Sequence, residues 1–319
     1  MRAALAHAFR SAAGCMYLAS DFLTGLAGKT LILMYHRVIP SGRVPLAFVQ
    51  PGMYVTANTF ERHVRYLADR FECVTFREWL SLSDSGRWSD STRYCIVTFD
   101  DGWLDTYEHA YPLLRRYGVP ATIFLPTGLV GSTEAFWPDR LGDLLQWRGL
   151  GTPHDWNASI ERAKELGDQE RETLIERLAA DVGDHGPVSR RLVNWQEVRE
   201  MSRHGMAFGS HSITHANLTR LEPAALEREL RGSLETLRAH DGVNWVPVLA
   251  YPNGDHTDDV AAAARSAGYR AAVTTRGGVE APRLSDPFRL KRIALHDDVS
   301  RSIPVMAFQI ARGAARWQG

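Results

Sequence analysis

The sequence has few cysteines, no net charge and no long apolar run. Cys15, Cys73 and Cys95 are the three thiols in 319 residues, and an odd number at such wide spacing excludes a disulfide framework and a CxxC metal site. A reducing compartment, the cytoplasm, is the expected location. Lys+Arg and Asp+Glu are equal at 37 each, so no global field favours nucleic acid, and a neutral polymer or small molecule suits the chain better. No stretch of about 18 uncharged apolar residues is available to cross a bilayer. Repeats, low-complexity tracts and an obvious linker are also missing, which leaves one domain with decorations. Apolar residues, by contrast, make up 45% of the chain, enough for a sizeable core.

The first thirty residues, MRAALAHAFRSAAGCMYLASDFLTGLAGKT, are read as an amphipathic helix, because Arg10 interrupts the apolar run too early for a cleaved leader. Leu5, Phe9, Ala12, Met16 and Leu23 fall near one helical face, with Arg2, Arg10 and Asp21 elsewhere. Two readings stay open: a helix packed on the domain, or an interfacial membrane anchor formed by residues 1–28.

Short β-branched or apolar runs then alternate with segments of helical periodicity, the pattern of βα units around a parallel sheet. LILMYH (31–36), CIVTF (95–99), ATIFL (121–125), MAFGS (206–210), VPVLAY (246–251), RAAVT (270–274) and KRIALH (291–296) are the strand candidates. Between Pro223 and His240, leucines at 226, 230, 234 and 237 recur at helical spacing after a proline suited to a first turn. The stretch from about 141 to 191 breaks the rhythm with a charged helical pattern and no strand candidate. The expected fold is α/β, a distorted and incomplete TIM-like (β/α) barrel over 31–300 with a helical insertion at about 141–191, preceded by the 1–30 helix and followed by a helix over 301–319.

Polar residues gather where these strands end. His36 ends the first, Asp100 and Asp101 end another in VTFDDG, and His211 follows MAFGS directly; barrels build their sites at C-terminal strand ends. In HSITH, a helical turn would set His211 and His215 on one side, able to share a metal. Two histidines and one carboxylate leave positions open for water and substrate, as a catalytic metal requires. Taken singly, each cluster also has a structural reading, the aspartates as a helix cap and the histidines as surface or core residues. Their shared topological position favours the joint reading.

In this order, TFDDG (98–102), HSITH (211–215) and AYPNG (250–254) resemble the motifs of the polysaccharide deacetylases, the NodB-homology or carbohydrate esterase family 4. LMYHRV (33–38), PATIFLPTG (120–128) and NWQEVREMSRHGMAFGSH (194–211) read as that family's framework, so the resemblance spans roughly 31–300. It implies that Asp101, His211 and His215 bind a divalent metal, with zinc expected, and that Asp100 is the catalytic base. The metal and the backbone N–H of Asn253 would hold the tetrahedral oxyanion. For the general acid, LMYHRV resembles a rearranged subgroup that includes exopolysaccharide deacetylases and points to His36; most of the family would use a late-strand histidine, here His296.

Two departures stand out. Ala250 occupies the place where the third motif often carries an arginine that orients the base, and Arg292 is the candidate substitute. The fourth motif's aspartate and tryptophan are not visible. Trp103, Trp137 and Tyr251 are candidates for a sugar platform, with core packing as the plainer role for each. The expected function is metal-dependent N-deacetylation of a polysaccharide or its precursor. Deacetylation or deformylation of a lipid-linked sugar at a membrane surface, and a non-catalytic glycan-binding barrel, are the alternatives.

Overall fold

Eight short parallel strands build the barrel, and their two-residue periodicity decides which side chains enter it. They are β1 (Thr30–Tyr35), β4 (Glu72–Cys73), β5 (Tyr94–Phe99), β6 (Ala121–Leu125), β7 (Ala207–Ser210), β8 (Trp245–Ala250), β9 (Ala271–Val273) and β10 (Ile293–Ala294). A separate parallel pair, β2 (Arg37–Ile39) and β3 (Tyr54–Thr56), lies outside this sheet. The computed structural model describes residues 2–19, 25–42, 49–149, 151–182, 190–281 and 286–315.

The sheet runs β10-β1-β5-β6-β7-β8-β9, with β4 paired to β5. The gap between β9 and β1 is spanned by one segment. Leu290 bridges Val273, and three residues later β10 pairs with β1 at Leu33–Ile293 and Met34–Ala294. The barrel is therefore incomplete, with a last strand of two residues where KRIALH predicts six. The other strand candidates form with ends shifted by at most a residue or two.

Inside, Ile32, Ile96, Phe124, Ala207, Val248, Val273 and Leu290 share one cluster. Gly209 accommodates Phe124 there, since a Cβ at 209 would sit 2.5 Å from the ring. Outside, Leu31, Leu33, Val97, Ile123, Leu125 and Phe208 pack beneath the helices. Residues of both parities are thus buried, as a sheet covered on both faces requires.

The flanking helices are α2 (Ala57–Arg70), α3 (Phe76–Ser85), α4 (Tyr111–Tyr117), α8 (Trp195–Arg203), α9 (Pro223–Ala239) and α10 (Asp258–Ala267). Capping boxes at Thr75–Glu78 and Asn194–Glu197 start α3 and α8. Between β6 and α8 the chain forms α5 (Trp137–Trp147), α6 (Pro153–Ala163) and α7 (Asp168–Val182), with a small core of their own around Leu141, Leu144, Ile160 and Ile175.

Helix α1 (Arg2–Ala19) lies against the last helix, α12 (Ile303–Ala315), which follows the single turn α11 (Asp297–Ser300). Gly14 is the point of contact; a Cβ there would collide with the Pro304 carbonyl. The packed face is not the apolar stripe, because Phe9 and Met16 are 67% and 73% exposed and Ala12 faces solvent as well. Leu23 lies outside the described residues.

His63, on α2, ties the barrel to this C-terminal layer. Fully buried, it donates through Nε2 to the Ser300 carbonyl at 2.6 Å and accepts at Nδ1 from the Tyr35 hydroxyl at 3.1 Å. Burial pushes the imidazole down to about 4, below its unfolded value of about 6.5. The stability that neutral His63 contributes is complete above the unfolded value and is lost as pH falls towards the folded one, by up to about 3 kcal/mol. Urea unfolding at neutral pH and at about pH 5 should show a flatter pH dependence in His63→Gln than in the wild type; equal slopes would remove His63 from the acid response.

Candidate active site

The inward parity of β5 and β7, continued one step past their ends, and of the segment that leads into β10 delivers the polar floor of the site. Ile96, Thr98 and Asp100 share one parity; Ala207, Gly209 and His211 share another, and Leu290 and Arg292 a third. Asp100 and His211 are 3% and 2% exposed and Arg292 is fully buried.

Arg292 meets Asp100 as a fork. Its Nη1 donates to Asp100 Oδ1 at 2.6 Å and its Nη2 to Oδ2 at 2.7 Å, a bidentate geometry that fixes the carboxylate plane. Nε donates to the Thr274 carbonyl at 2.9 Å, and Nη1 also reaches Thr98 Oγ1 at 3.2 Å, so the buried cation is well satisfied. Burial pushes the Asp100 carboxyl up, but the adjacent guanidinium outweighs burial and holds it below the usual carboxylate range.

Asp101 turns the other way because its φ is 72°, a left-handed conformation costly for a side chain other than glycine. Gly102 follows at φ 65°. The two carboxylates therefore diverge, Asp100 to the arginine and Asp101 to the histidines. His211 Nε2 and His215 Nε2 lie 3.4 and 3.3 Å from Asp101 Oδ1, and the three ligand atoms fall within 4.8 Å of one another. Burial raises the Asp101 carboxyl, yet the two imidazoles bring it well below its ordinary value.

The helical turn expected at HSITH does not form. Residues 211–215 make a loop in which Ser212 and His215 have φ of 64° and 62°. Glu229 on α9 holds that loop open, accepting from the Ile213 and Thr214 N–H groups at 2.8 and 3.0 Å. These external acceptors replace the intrahelical ones, and the histidines converge all the same. His211 Nδ1 donates to the Ala250 carbonyl at 2.7 Å, leaving Nε2 free to act as a ligand. Position 250 thus contributes its backbone where a side chain was expected. Among the described residues, the four non-glycine positions with positive φ are Asp101, Ser212, His215 and Asn253, all at or beside this site.

His36 and His296 both line the cleft above the floor, which encloses about 680 Å³. His36 Nε2 is 3.9 Å from Asp100 Oδ2; burial lowers its imidazole from the ordinary value, against the pull of Asp101 and Asp100. His296 caps α11 and its Nδ1 is 3.2 Å from Asp298 Oδ2. Asn253 lines the cleft at the tip of the 252–254 turn, where the next two N–H groups bond within the turn, Gly254 to the Tyr251 carbonyl and Asp255 to that of Pro252.

The three aromatics differ from the open platform expected of them. Trp103 is 3% exposed; its Nε1 donates to Asp101 Oδ2 at 3.0 Å, so it braces that carboxylate. Tyr251 is buried, donating to the Phe288 carbonyl at 3.1 Å. Trp137 is half-buried and carries the Arg171 guanidinium 4.5 Å from its ring centre.

Sequence reasoning missed the bracing around them. Arg37 lies 4.3 Å over the Trp103 ring and donates to Asp105 Oδ2 at 2.7 Å. Phe136 packs on both Trp103 and His215, at 5.2 and 4.9 Å between ring centres. Asp139, between Arg37 and Arg191, has its carboxyl pushed up to about 7 by burial, despite both cations. Phe136 and Asp139 belong to none of the quoted motifs, Arg37 lies in LMYHRV but was given no role there, and their partners are distant in the chain.

The polysaccharide deacetylase family model matches residues 89–272, which include Asp100, Asp101, His211 and His215. The chain belongs to the polysaccharide deacetylase family. It is a deacetylase, a hydrolase. His36, Arg292 and His296 lie outside the matched stretch. Protein YxkH of Bacillus subtilis is 26% identical over 275 residues, 86% of this chain and 74% of its own. The poly-beta-1,6-N-acetyl-D-glucosamine N-deacetylase of Staphylococcus aureus is 35% identical over 78 residues, 24% of this chain and 26% of that protein. Two solved structures share this deacetylase's fold at 20% identity. The Streptococcus pyogenes deacetylase PplD in complex with acetate superposes with a TM-score of 0.60 over 88% of this chain and 98% of its own. IcaB from Ammonifex degensii gives 0.58 over 89% and 97%.

Proposed function

We propose that the chain hydrolyses the acetamide of N-acetylated sugar residues in an exopolysaccharide or its precursor, releasing acetate and leaving an amine. One observation carries the reading: Asp100, fixed by the Arg292 fork, shares a cleft floor with the Asp101, His211 and His215 set.

That set fits a catalytic metal in donor type, number and convergence, and the carbonyl bonded to His211 Nδ1 supplies the orienting partner such a ligand needs. A divalent cation held by Asp101, His211 and His215, zinc by our reading, would polarise the scissile carbonyl and acidify a water. Asp100, ionised at neutral pH because of Arg292, would take a proton from the attacking water. His36, whose lowered imidazole holds no spare proton at neutral pH, would pass the proton taken up by Asp100, 3.9 Å away, to the departing amine, and that place beside Asp100 favours it over His296, which is engaged at the start of α11. The Asn253 N–H, at the turn tip, offers a donor to the developing oxyanion. The carboxylates of Asp100 and Asp101 thus have separate tasks.

Acetate release from N-acetylglucosamine oligomers and polymer, with and without chelator, tests the proposal. Activity should vanish on chelation and return with zinc; His36→Ala should lose about 10²–10⁴-fold in turnover, and His296→Ala far less. Full activity after exhaustive chelation would overturn the metal role, and the reverse order of losses would exchange the two histidines.

A further inference from the structure

We propose that the exposed face of α1 docks the protein on the surface of an anionic lipid bilayer. Ala8, Phe9, Ala12, Cys15 and Met16 all face solvent, and at about 100° per residue they occupy an arc of about 120° on the helix. The stripe carries no charged residue. Phe9 meets Phe308 edge-on, 6.2 Å between ring centres, and remains 67% exposed. The helix is anchored from its other side, by Gly14 against Pro304 and by Arg10 Nη1 donating to the Asp298 carbonyl at 3.3 Å. An amphipathic helix fixed by its less apolar side presents its apolar stripe to something outside the chain.

Charge identifies that occupant. The chain as a whole is balanced, 37 against 37, but α1 and α12 contain no Asp or Glu, while Arg2 and Arg10 lie on α1, Arg312 on α12 and Arg301 just before it. The α1 and α12 layer is therefore drawn from acid-free sequence. A second copy docked about a twofold axis would set this basic layer against itself. An anionic lipid surface meets both features, accepting apolar side chains at the acyl boundary and neutralising arginines at the headgroups. Among the described residues no helix is long and apolar enough to cross a membrane, so the contact is peripheral.

The anchored side of α1 reaches the rim of the cleft. The Asp298 whose carbonyl accepts from Arg10 has its carboxylate on His296, which lines the cleft. Resting on the functional reading above, docking through α1 would hold the cleft rim near the headgroups and suit a sugar borne on a lipid carrier.

Flotation of the full chain with vesicles tests the surface itself. Vesicles of phosphatidylglycerol and phosphatidylcholine should capture the protein at low salt, vesicles of phosphatidylcholine alone far less, and added salt should weaken capture. The double substitution Phe9→Asp, Met16→Asp should reduce partitioning about a hundredfold while acetate release from soluble oligomers is unchanged. Capture indifferent to phosphatidylglycerol, or undiminished in the double variant, would overturn the proposal. So would a wild-type dimer in light scattering that the double variant abolishes, because the stripe would then meet a second copy. Acetate release is read separately, so a chain that floats but hydrolyses nothing overturns the deacetylation reading and leaves the docking surface standing.

Discussion

Replacing Asp100 with asparagine should reduce turnover by about 10²–10⁴-fold while metal content stays that of the wild type. Asparagine keeps the size of the side chain and one oxygen for the Arg292 fork, so the floor of the cleft retains its shape. What it removes is the capacity to accept a proton at neutral pH. Metal content should be unaffected because, on the proposed reading, Asp101, whose φ of 72° turns it towards His211 and His215, supplies the carboxylate of the ligand set. Acetate release and metal analysis on the same preparation check the prediction. Full activity would remove Asp100 as the base, and loss of metal together with activity would mean that the adjacent carboxylates do not have separate tasks.

Arg292→Met should have the second large effect, on stability and on the pH profile together. It leaves Asp100 buried at 3% exposure without its cation, and removing one partner of a buried pair costs about 3–5 kcal/mol. The sign of the pH effect follows from the balance at Asp100, where burial raises the carboxyl and the guanidinium brings it below the usual range. Without the guanidinium the base protonates at higher pH, so the acid limb of the rate profile moves upward. In the wild type, the stability contributed by ionised Asp100 is present above its unfolded value and lost as pH falls through the lower folded one. Arg292→Lys keeps the charge but not the fork, and should recover part of the stability with less of the rate. The double variant Arg292→Met, Asp100→Asn should be less destabilised than the sum of the single ones, since it strands no buried charge. An unshifted acid limb in Arg292→Met would reduce Arg292 to a structural role.

These effects depend on a residue pair separated by nearly two hundred positions, which bears on how much of the site was legible in the sequence. Asp100, Asp101, His211 and His215 were legible because strand parity and short motifs are local. Arg292 was legible as a candidate because Ala250 leaves the usual arginine's place empty and a guanidinium on a neighbouring strand can reach the carboxylate. The HSITH loop was misjudged, since spacing alone cannot register the Glu229 carboxylate that holds 213–214 out of a helix. Of the aromatics that line the cleft, Trp103 and Tyr251 take the core-packing role that was their plainer reading, for a reason that also lies elsewhere in the chain. Trp103 looks like a sugar platform until Arg37 and Phe136 cover it, and both belong to other segments.

By itself, then, the sequence determined the barrel class, through strands alternating with helices and ending in polar residues, and, through the resemblance carried by TFDDG, HSITH and AYPNG, the family and the floor of the site. Tertiary structure alone decided which partner each carboxylate faces, through backbone angles that local propensity opposes and packing enforces. It also decided the orientation of α1. Hydrophobic periodicity establishes that a helix has an apolar face, but a face is buried only if a complementary surface lies opposite. Here Gly14 permits close approach from the other side, and Phe9 and Met16 are left in the open.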